Sequence, residues 1–106
     1  MKLGIIIETN DPEKAWNAVR FANSSLKLGH EAKIFLMSAG VEIETIMHEK
    51  YNAKRQIDEF VSSHGTMLAC GTCMTARKME STETCPISTM ADCIKMVEWA
   101  DKVLTF

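Results

Sequence analysis

The sequence has no long hydrophobic run and no excess of basic residues. Its longest apolar runs, such as Ile34–Met37, are only a few residues long, whereas a transmembrane helix needs about 20. Twelve Lys and Arg against fourteen Asp and Glu give a formal net charge of −2 and an isoelectric point near 5.9. A dedicated nucleic-acid-binding domain normally has a basic face and a high isoelectric point. The composition therefore predicts neither a membrane nor a nucleic acid as a partner.

Proline and glycine are also scarce, and no linker rich in them divides the chain. The 106 residues contain two prolines and five glycines and no internal repeat, which predicts a single domain over residues 1–106. With 46% hydrophobic and 25% charged residues, the composition is typical of a globular domain and argues against disorder. The first residues, Met1–Ile5, contain no long hydrophobic region and no cleavage site. We therefore expect a cytoplasmic protein without a secretory signal.

Short apolar runs alternate with longer amphipathic segments along the chain. The apolar runs predict strands over residues 3–8, 32–37, 66–69 and 103–106, with a weaker one over 83–87. Strands separated by helical segments of about 10–18 residues need crossover connections, which produce a mainly parallel sheet. We therefore predict a three-layer α/β/α domain with about five strands. Binding sites in such sheets form beyond the carboxyl ends of the strands, here at residues 9–12, 38–41 and 70–73.

Capping residues and glycines predict where the first two helices begin and end. Asn10 is expected to cap the first helix, with Pro12 in its first turn and Glu13 as its capping-box partner. Gly29 is expected to end the first helix and Gly65 to end the second.

The later part of the chain predicts two more helices. One is expected over residues 73–78, and Ser88 or Thr89 is expected to cap the last. A stripe on that last helix is expected to face the core: Met90, Cys93, Ile94 and Val97. Residues 41–47 fit a helix or a strand equally well. A polar stretch follows over residues 48–56, and residues 41–56 together form either a lid or an interface, which the sequence leaves open.

Cysteine carries the strongest chemical signal in the sequence. Cys70 follows the third predicted strand, and Gly71, Thr72 and Cys73 complete a Cys-x-x-Cys motif where a helix begins. A helix N-terminus, the free backbone N–H groups there and Arg77 are expected to favour the thiolate form of Cys70. The same N–H groups would hold a persulfide anion, which glycine lets the backbone approach closely. We therefore predict Cys70 and Cys73 as catalytic residues, with Gly71, Thr72 and Arg77 binding the sulfur or anion.

The residues leave other interpretations of the four cysteines open. Cys70 could be no more than a buried strand residue, or the motif could serve dithiol–disulfide exchange. The spacing C-x2-C-x11-C-x7-C could supply four zinc ligands, although a structural Cys₄ site normally has two C-x2-C pairs. Cys93 is expected to lie in the core. Cys85 is expected in a loop, either as an exposed resolving thiol or without a chemical role.

Segments along nearly the whole chain resemble the DsrE/DsrF-like family, which includes the TusD-type sulfur-relay subunits. The matching segments are Leu3–Thr9, Gly29–Ala32 with Ile34–Leu36 and Gly40-Val41, Leu68–Cys73 with Ala76-Arg77, Ser88–Asp92 and Ala100–Phe106. The resemblance implies a five-stranded parallel sheet and subunits that assemble as trimers or hexamers. It also implies a cysteine at the end of the third strand, here Cys70, that carries sulfane sulfur as a persulfide. Cys73 departs from the TusD-type pattern and resembles a branch with a Cys-Gly-Thr-Cys motif.

The leading hypothesis is a cytoplasmic sulfur-relay protein, similar to a sulfurtransferase, in which Cys70 carries the persulfide and Cys73 resolves it. Such exchange needs no organic cofactor and no metal. Its partners would be sulfur-donor and sulfur-acceptor proteins, together with further copies of the chain. Two alternatives remain: an oligomeric module that binds a small ligand or a partner without catalysis, and a dithiol–disulfide oxidoreductase.

Overall fold

The computed structural model describes residues 1–106 as a five-stranded sheet with four α-helices and one 3₁₀ segment. The strands are β1 (Lys2–Ile7), β2 (Glu31–Leu36), β3 (Thr66–Cys70), β4 (Ile87–Ser88) and β5 (Lys102–Thr105). The helices are α1 (Pro12–Lys27), α2 (Ala53–Ser62), α3 (Gly71–Ala76) and α4 (Met90–Trp99), and the 3₁₀ segment is Ser38–Thr45. All strand pairs are parallel, in the order β4-β3-β2-β1-β5. The predicted three-layer α/β/α fold is confirmed.

The side chains of β1, which alternate between the two faces of the sheet, show what covers each face. Leu3, Ile5 and Ile7 are buried and point to one face, because successive side chains of a strand point to opposite sides. Helices α1 and α2 pack against each other and against the strands. On the other face, a Cβ added to Gly4 would lie 3.2 Å from the Cβ of Ala100, just beyond α4. The sheet therefore lies between two layers of helices.

The last strand pairs with the first strand. In the β1–β5 register Leu3 lies opposite Lys102 and Ile6 opposite Thr105. Beyond the ladder, Glu8 N–H donates to the carbonyl oxygen of Phe106 at 2.8 Å. Helix α4 thus carries the chain from β4 at one edge of the sheet to β5 at the other.

The ends of α1 and α2 differ in detail from the sequence prediction. Asn10 does not cap α1: the Asp11 side chain accepts from Lys14 N–H at 3.0 Å. Proline favours the first helical position, so the residue directly before Pro12 becomes the cap. Gly29 follows α1 with a φ of 88°, as predicted. The left-handed residue after α2 is His64, with a φ of 69°, rather than Gly65.

Helix α4 begins as predicted but faces the sheet differently. Thr89 caps it in a capping box with Asp92. The predicted core stripe is wrong in three of its four members: Met90, Ile94 and Val97 are exposed, whereas Cys93 is buried. The buried face of α4 contains Cys93 and Met96 and continues to Ala100. The small pair Gly4 and Ala100 lets the helix approach β1 on this side, which leaves the other apolar stripe in solvent.

The middle of the chain adopts a conformation that the sequence left open. Residues 41–47 lie mostly within the 3₁₀ segment, which buries Gly40, Val41 and Ile43. Helix α2 starts at Ala53, capped by Asn52. The strand expected over residues 83–87 is reduced to β4, two residues paired with the end of β3. None of the helices has both the length and the apolar composition needed to cross a membrane.

Candidate thiol site

Cys70 lies at the carboxyl edge of the sheet, between the ends of two neighbouring strands. It is the last residue of β3 and pairs with Ser88 of β4. On the other side, the preceding residue Ala69 pairs with Leu36, the last residue of β2. The chain leaving β2 at Met37 and Ser38 is thereby brought to the Cys-x-x-Cys motif. The position predicted for Cys70, where a parallel strand ends and a helix begins, is confirmed.

Helix α3 starts at Gly71, two residues earlier than predicted, and Cys70 is its N-cap. With six residues it has fewer than two turns, so few peptide dipoles are aligned behind Cys70. A Cβ at Gly71 would lie 3.2 Å from Ile87 Cγ1 and from the carbonyl oxygen of Ser88. Close packing against β4 is therefore a sufficient reason for glycine here. The side chain of Thr72 is exposed, which leaves its backbone N–H as the group available for the predicted anion contact.

The two thiols of the motif are neighbours that differ in exposure. Both are free, and Cys70 is only 4% exposed whereas Cys73 is partly exposed. The interaction with the neighbouring Cys70 thiol raises the pKa of the Cys73 thiol above its ordinary value, and desolvation raises it further. The backbone N–H of Ser38 and the charge of Arg77 act in the opposite direction. The structure thus brings the two predicted catalytic residues together.

Ser38 contacts the motif through a backbone group that the sequence analysis did not identify. Its backbone N–H donates to Cys73 Sγ at 3.2 Å. Ser38 has a φ of 52°, in the left-handed region, and Met37 N–H is bonded to the carbonyl oxygen of Ile7 at 3.1 Å. Gly40 packs so closely on β1 that an added Cβ would lie 2.0 Å from that same oxygen. These contacts hold the Ser38 N–H toward the sulfur. Residues 38–41 were predicted to reach this edge, but a backbone donor leaves no side-chain signal.

The side chain of Arg77 contacts the backbone of the motif rather than either sulfur atom. Its Nε donates to Glu42 Oε2 at 2.8 Å, and its Nη1 donates to the carbonyl oxygen of Cys73 at 3.2 Å. Both charged side chains are about one-third exposed, so solvent weakens their attraction. Arg77 therefore influences Cys73 by its charge and by holding the end of α3 against the 3₁₀ segment.

The other two cysteines are buried and lie outside the Cys-x-x-Cys motif. Cys93 is buried in the core, as predicted, and desolvation raises its pKa, with a further contribution from the nearby Cys70. Cys85 lies in the loop before β4, as predicted, but it is only 5% exposed, so the alternative of an exposed thiol is wrong. Burial, together with the Glu44 carboxylate, raises the pKa of Cys85 to about 12. A thiol that is buried and protonated in this way is unsuited to the role of an exposed resolving thiol.

Cys85 and Glu44 lie beside a small cavity below α3. The cavity has a volume of about 210 Å³, and its lining also includes Ala69 and Met74. Glu44 accepts hydrogen bonds from Thr82 and Thr84, which fasten the loop before β4 to the 3₁₀ segment. Nowhere in the structure do three or more His, Cys, Asp or Glu residues converge as metal ligands. The four cysteines therefore do not form the ligand set that the zinc interpretation requires.

Comparison with known proteins agrees with this geometry. The family model described as the DsrE/DsrF-like family matches residues 1–106. An uncharacterised protein of Methanocaldococcus jannaschii is 33% identical over 115 aligned positions, covering 100% of both chains. An uncharacterised protein of Methanopyrus kandleri is 31% identical, covering 89% of this chain and 83% of its own. The chain belongs to the DsrE/DsrF-like family.

Proposed function

We propose that this protein is a sulfur-relay protein that carries sulfane sulfur as a persulfide on Cys70, with Cys73 as the second thiol. The observation that carries the proposal is the pair of free, neighbouring thiols where β3 ends and α3 begins, at the carboxyl edge of the sheet. A backbone N–H from Ser38 is directed at one of them. Membership of the family adds support, because the family includes sulfur-relay subunits. We place this chemistry in the cytoplasm, where free thiols remain reduced.

The chemistry requires only thiol exchange. A thiolate of the pair attacks the outer sulfur of a donor persulfide, the donor S–S bond breaks, and its electron pair leaves with the donor thiolate. An acceptor thiolate can later remove the outer sulfur in the same way. Without an acceptor, Cys73 attacks the inner sulfur on Cys70, forming a Cys70–Cys73 disulfide and releasing hydrosulfide. Each step balances without a cofactor.

Mass spectrometry tests the proposal directly. The reduced protein is incubated with glutathione persulfide and its intact mass is measured before and after treatment with dithiothreitol. We expect a gain of about 32 Da at early times that dithiothreitol reverses, followed by a mass about 2 Da below the reduced protein as the Cys70–Cys73 disulfide forms. Trypsin separates residues 56–77, which contain Cys70 and Cys73, from residues 79–95, which contain the other two cysteines. Absence of the gain at every time point, or fragment ions that place none of the wild type's bound sulfur on Cys70, would refute the role of Cys70.

The same pair of neighbouring free thiols favours a second candidate, a dithiol–disulfide oxidoreductase. That function predicts rapid transfer of oxidising equivalents from a model disulfide to the pair, with a loss of about 2 Da and no bound sulfur. Incubation with oxidised glutathione and with glutathione persulfide in parallel separates the two functions. A protein that gains sulfur from the persulfide and reacts slowly with the disulfide is a carrier.

We also propose that the chain assembles as a homo-oligomer, a trimer or a hexamer, through the exposed stripe of α4. Met90, Ile94 and Val97 are between 43% and 56% exposed, and Ile87 continues the apolar surface to Gly71. Light scattering with size-exclusion chromatography measures the molar mass of the wild type and of Ile94→Asp. The expected result is a trimer or hexamer that Ile94→Asp dissociates. A monomeric wild type would favour a protein that acts alone.

A further inference from the structure

We infer that the sulfur passes through the motif in a fixed order: Cys73 accepts it from the donor and then transfers it to Cys70, which holds it. This inference rests on the persulfide carriage proposed above and adds the sequence of steps. It assigns Cys73 a role before storage, in addition to its role as resolving thiol.

The difference in exposure between the two sulfurs is the first argument. A donor persulfide has to approach its acceptor sulfur in line with the S–S bond that breaks, so the acceptor must be reachable from solvent. Cys70 is only 4% exposed at the end of β3, where it pairs with Ser88 of β4. Cys93 lies nearby in the core. Cys73 is partly exposed on the first turn of α3. A donor thus reaches Cys73 first.

Contacts around Cys73 suit it to act both as acceptor and as leaving group. The Ser38 N–H donates to Cys73 Sγ at 3.2 Å, and this contact and the positive charge of Arg77 partly offset the neighbouring Cys70 and the desolvation that raise the pKa of Cys73. Arg77 is itself paired with Glu42, so its contribution is the smaller one. A sulfur whose anion is stabilised leaves faster in thiol exchange. Ser38 is therefore a positioning residue for the transfer out of Cys73.

The first step loads Cys73. The Cys73 thiolate attacks the outer sulfur of the donor R–S–SH, a Cys73–sulfur bond forms, and the donor S–S bond breaks with its electron pair on RS⁻. The proton that Cys73 lost ends on the donor, which leaves as RSH. Sulfane sulfur is transferred and no net oxidation occurs.

The second step moves the sulfur inward. Cys70, the N-cap of the helix whose first turn contains Cys73, loses its proton and attacks the outer sulfur of the Cys73 persulfide. The new S–S bond forms at Cys70, the bond at Cys73 breaks, and the electron pair returns to Cys73 Sγ beside the Ser38 N–H. The proton from Cys70 ends on Cys73. The regenerated Cys73 thiol then lies between the stored persulfide and solvent.

Time-resolved peptide mapping tests this order. The protein is mixed with glutathione persulfide, quenched with iodoacetamide at increasing times and digested, and fragment ions separate Cys70 from Cys73. In the wild type we expect bound sulfur on Cys73 first and on Cys70 later. Cys73→Ser should load Cys70 at least about tenfold more slowly, and Cys70→Ser should keep the sulfur on Cys73. Thr75→Ser, an exposed change on the same helix, should behave like the wild type.

The outcomes distinguish the order of transfer from the function itself. A wild-type protein that takes up no sulfur refutes the carrier function. Loading of Cys70 in Cys73→Ser at the wild-type rate refutes only the order. A bulky maleimide gives an independent readout without any sulfur: Cys73 should react at least about tenfold faster than Cys70, and equal rates would overturn the accessibility argument. Circular dichroism verifies that each variant is folded.

Discussion

Replacing Gly40 by alanine is expected to destabilise the protein and to weaken the contact between Ser38 and Cys73. A Cβ at this position would lie 2.0 Å from the carbonyl oxygen and 2.7 Å from the carbonyl carbon of Ile7. Both atoms belong to the backbone of β1, a central strand whose hydrogen bonds fix its position. The 3₁₀ segment would have to move away by more than about 1 Å to restore ordinary contact distances in a close-packed interior.

The size of the effect follows from what has to move. Overpacking costs about 1–3 kcal/mol when side chains and backbone shift slightly, and here the obstacle is backbone rather than the end of a flexible side chain. We therefore expect the free energy of unfolding to fall by about 3 kcal/mol. For a domain of this size, 1 kcal/mol corresponds to about 4 °C in Tm, so the expected decrease is about 12 °C.

Urea unfolding followed by circular dichroism measures this loss, with Gly29→Ala as the matched control. Gly29 has open space for a Cβ but a φ of 88°, so its replacement costs only the backbone term, about 1–2 kcal/mol. At a temperature where Gly40→Ala is folded, its Cys73 should also be alkylated at a higher pH than in the wild type, because the Ser38 N–H has moved. A Gly40→Ala protein as stable as Gly29→Ala would refute the packing argument.

Three further predictions concern titrating groups. Cys85 should remain unlabelled by a disulfide reagent at pH 9 while Cys73 reacts, because the pKa of Cys85 is about 12; rapid labelling of folded protein at Cys85 would contradict its burial. Hydrogen bonds from Ser88 and Thr89 lower the pKa of Asp92. The Asp92 carboxylate therefore stabilises the fold above about pH 4, and this stabilisation is lost as the pH falls through the pKa of Asp92 in the folded protein. The Tm difference between wild type and Asp92→Asn should therefore shrink below about pH 4. A difference that stays constant with pH would refute the stabilising role of the Asp92 carboxylate. Arg77→Gln should move the alkylation of Cys73 to higher pH, and an unchanged profile would remove Arg77 from the site.

The sequence predicted the parallel sheet because continuous apolar runs are a local signal. The run at residues 3–8 corresponds to β1, and the run before Cys70 corresponds to β3. The orientation of α4 was not predictable in this way, since two overlapping apolar stripes run along it. The pair Gly4 and Ala100, which decides between them, is separated by most of the chain.

The candidate site shows the same division between local and distant information. The positions of Cys70 and Cys73 follow from a strand, a turn and a helix that are adjacent in sequence. The Ser38 N–H and the Glu42 partner of Arg77 are each 35 residues away from the groups they contact. A backbone donor has no residue type of its own, and an exposed glutamate has many competing partners. Neither contact could be assigned before the sheet had brought the two loops together.

The pairing of β5 with β1 has a consequence for how the chain folds during synthesis. Residues 3–6 leave the ribosome well before their partners at residues 102–105. Until those partners emerge, one side of β1 presents unpaired N–H and C=O groups, the kind of edge that recruits other chains. Contacts between such distant residues also slow folding. The nascent chain is therefore expected to remain open to misassembly until β5 has been synthesised, and chaperones that shield β1 should raise the yield of native protein.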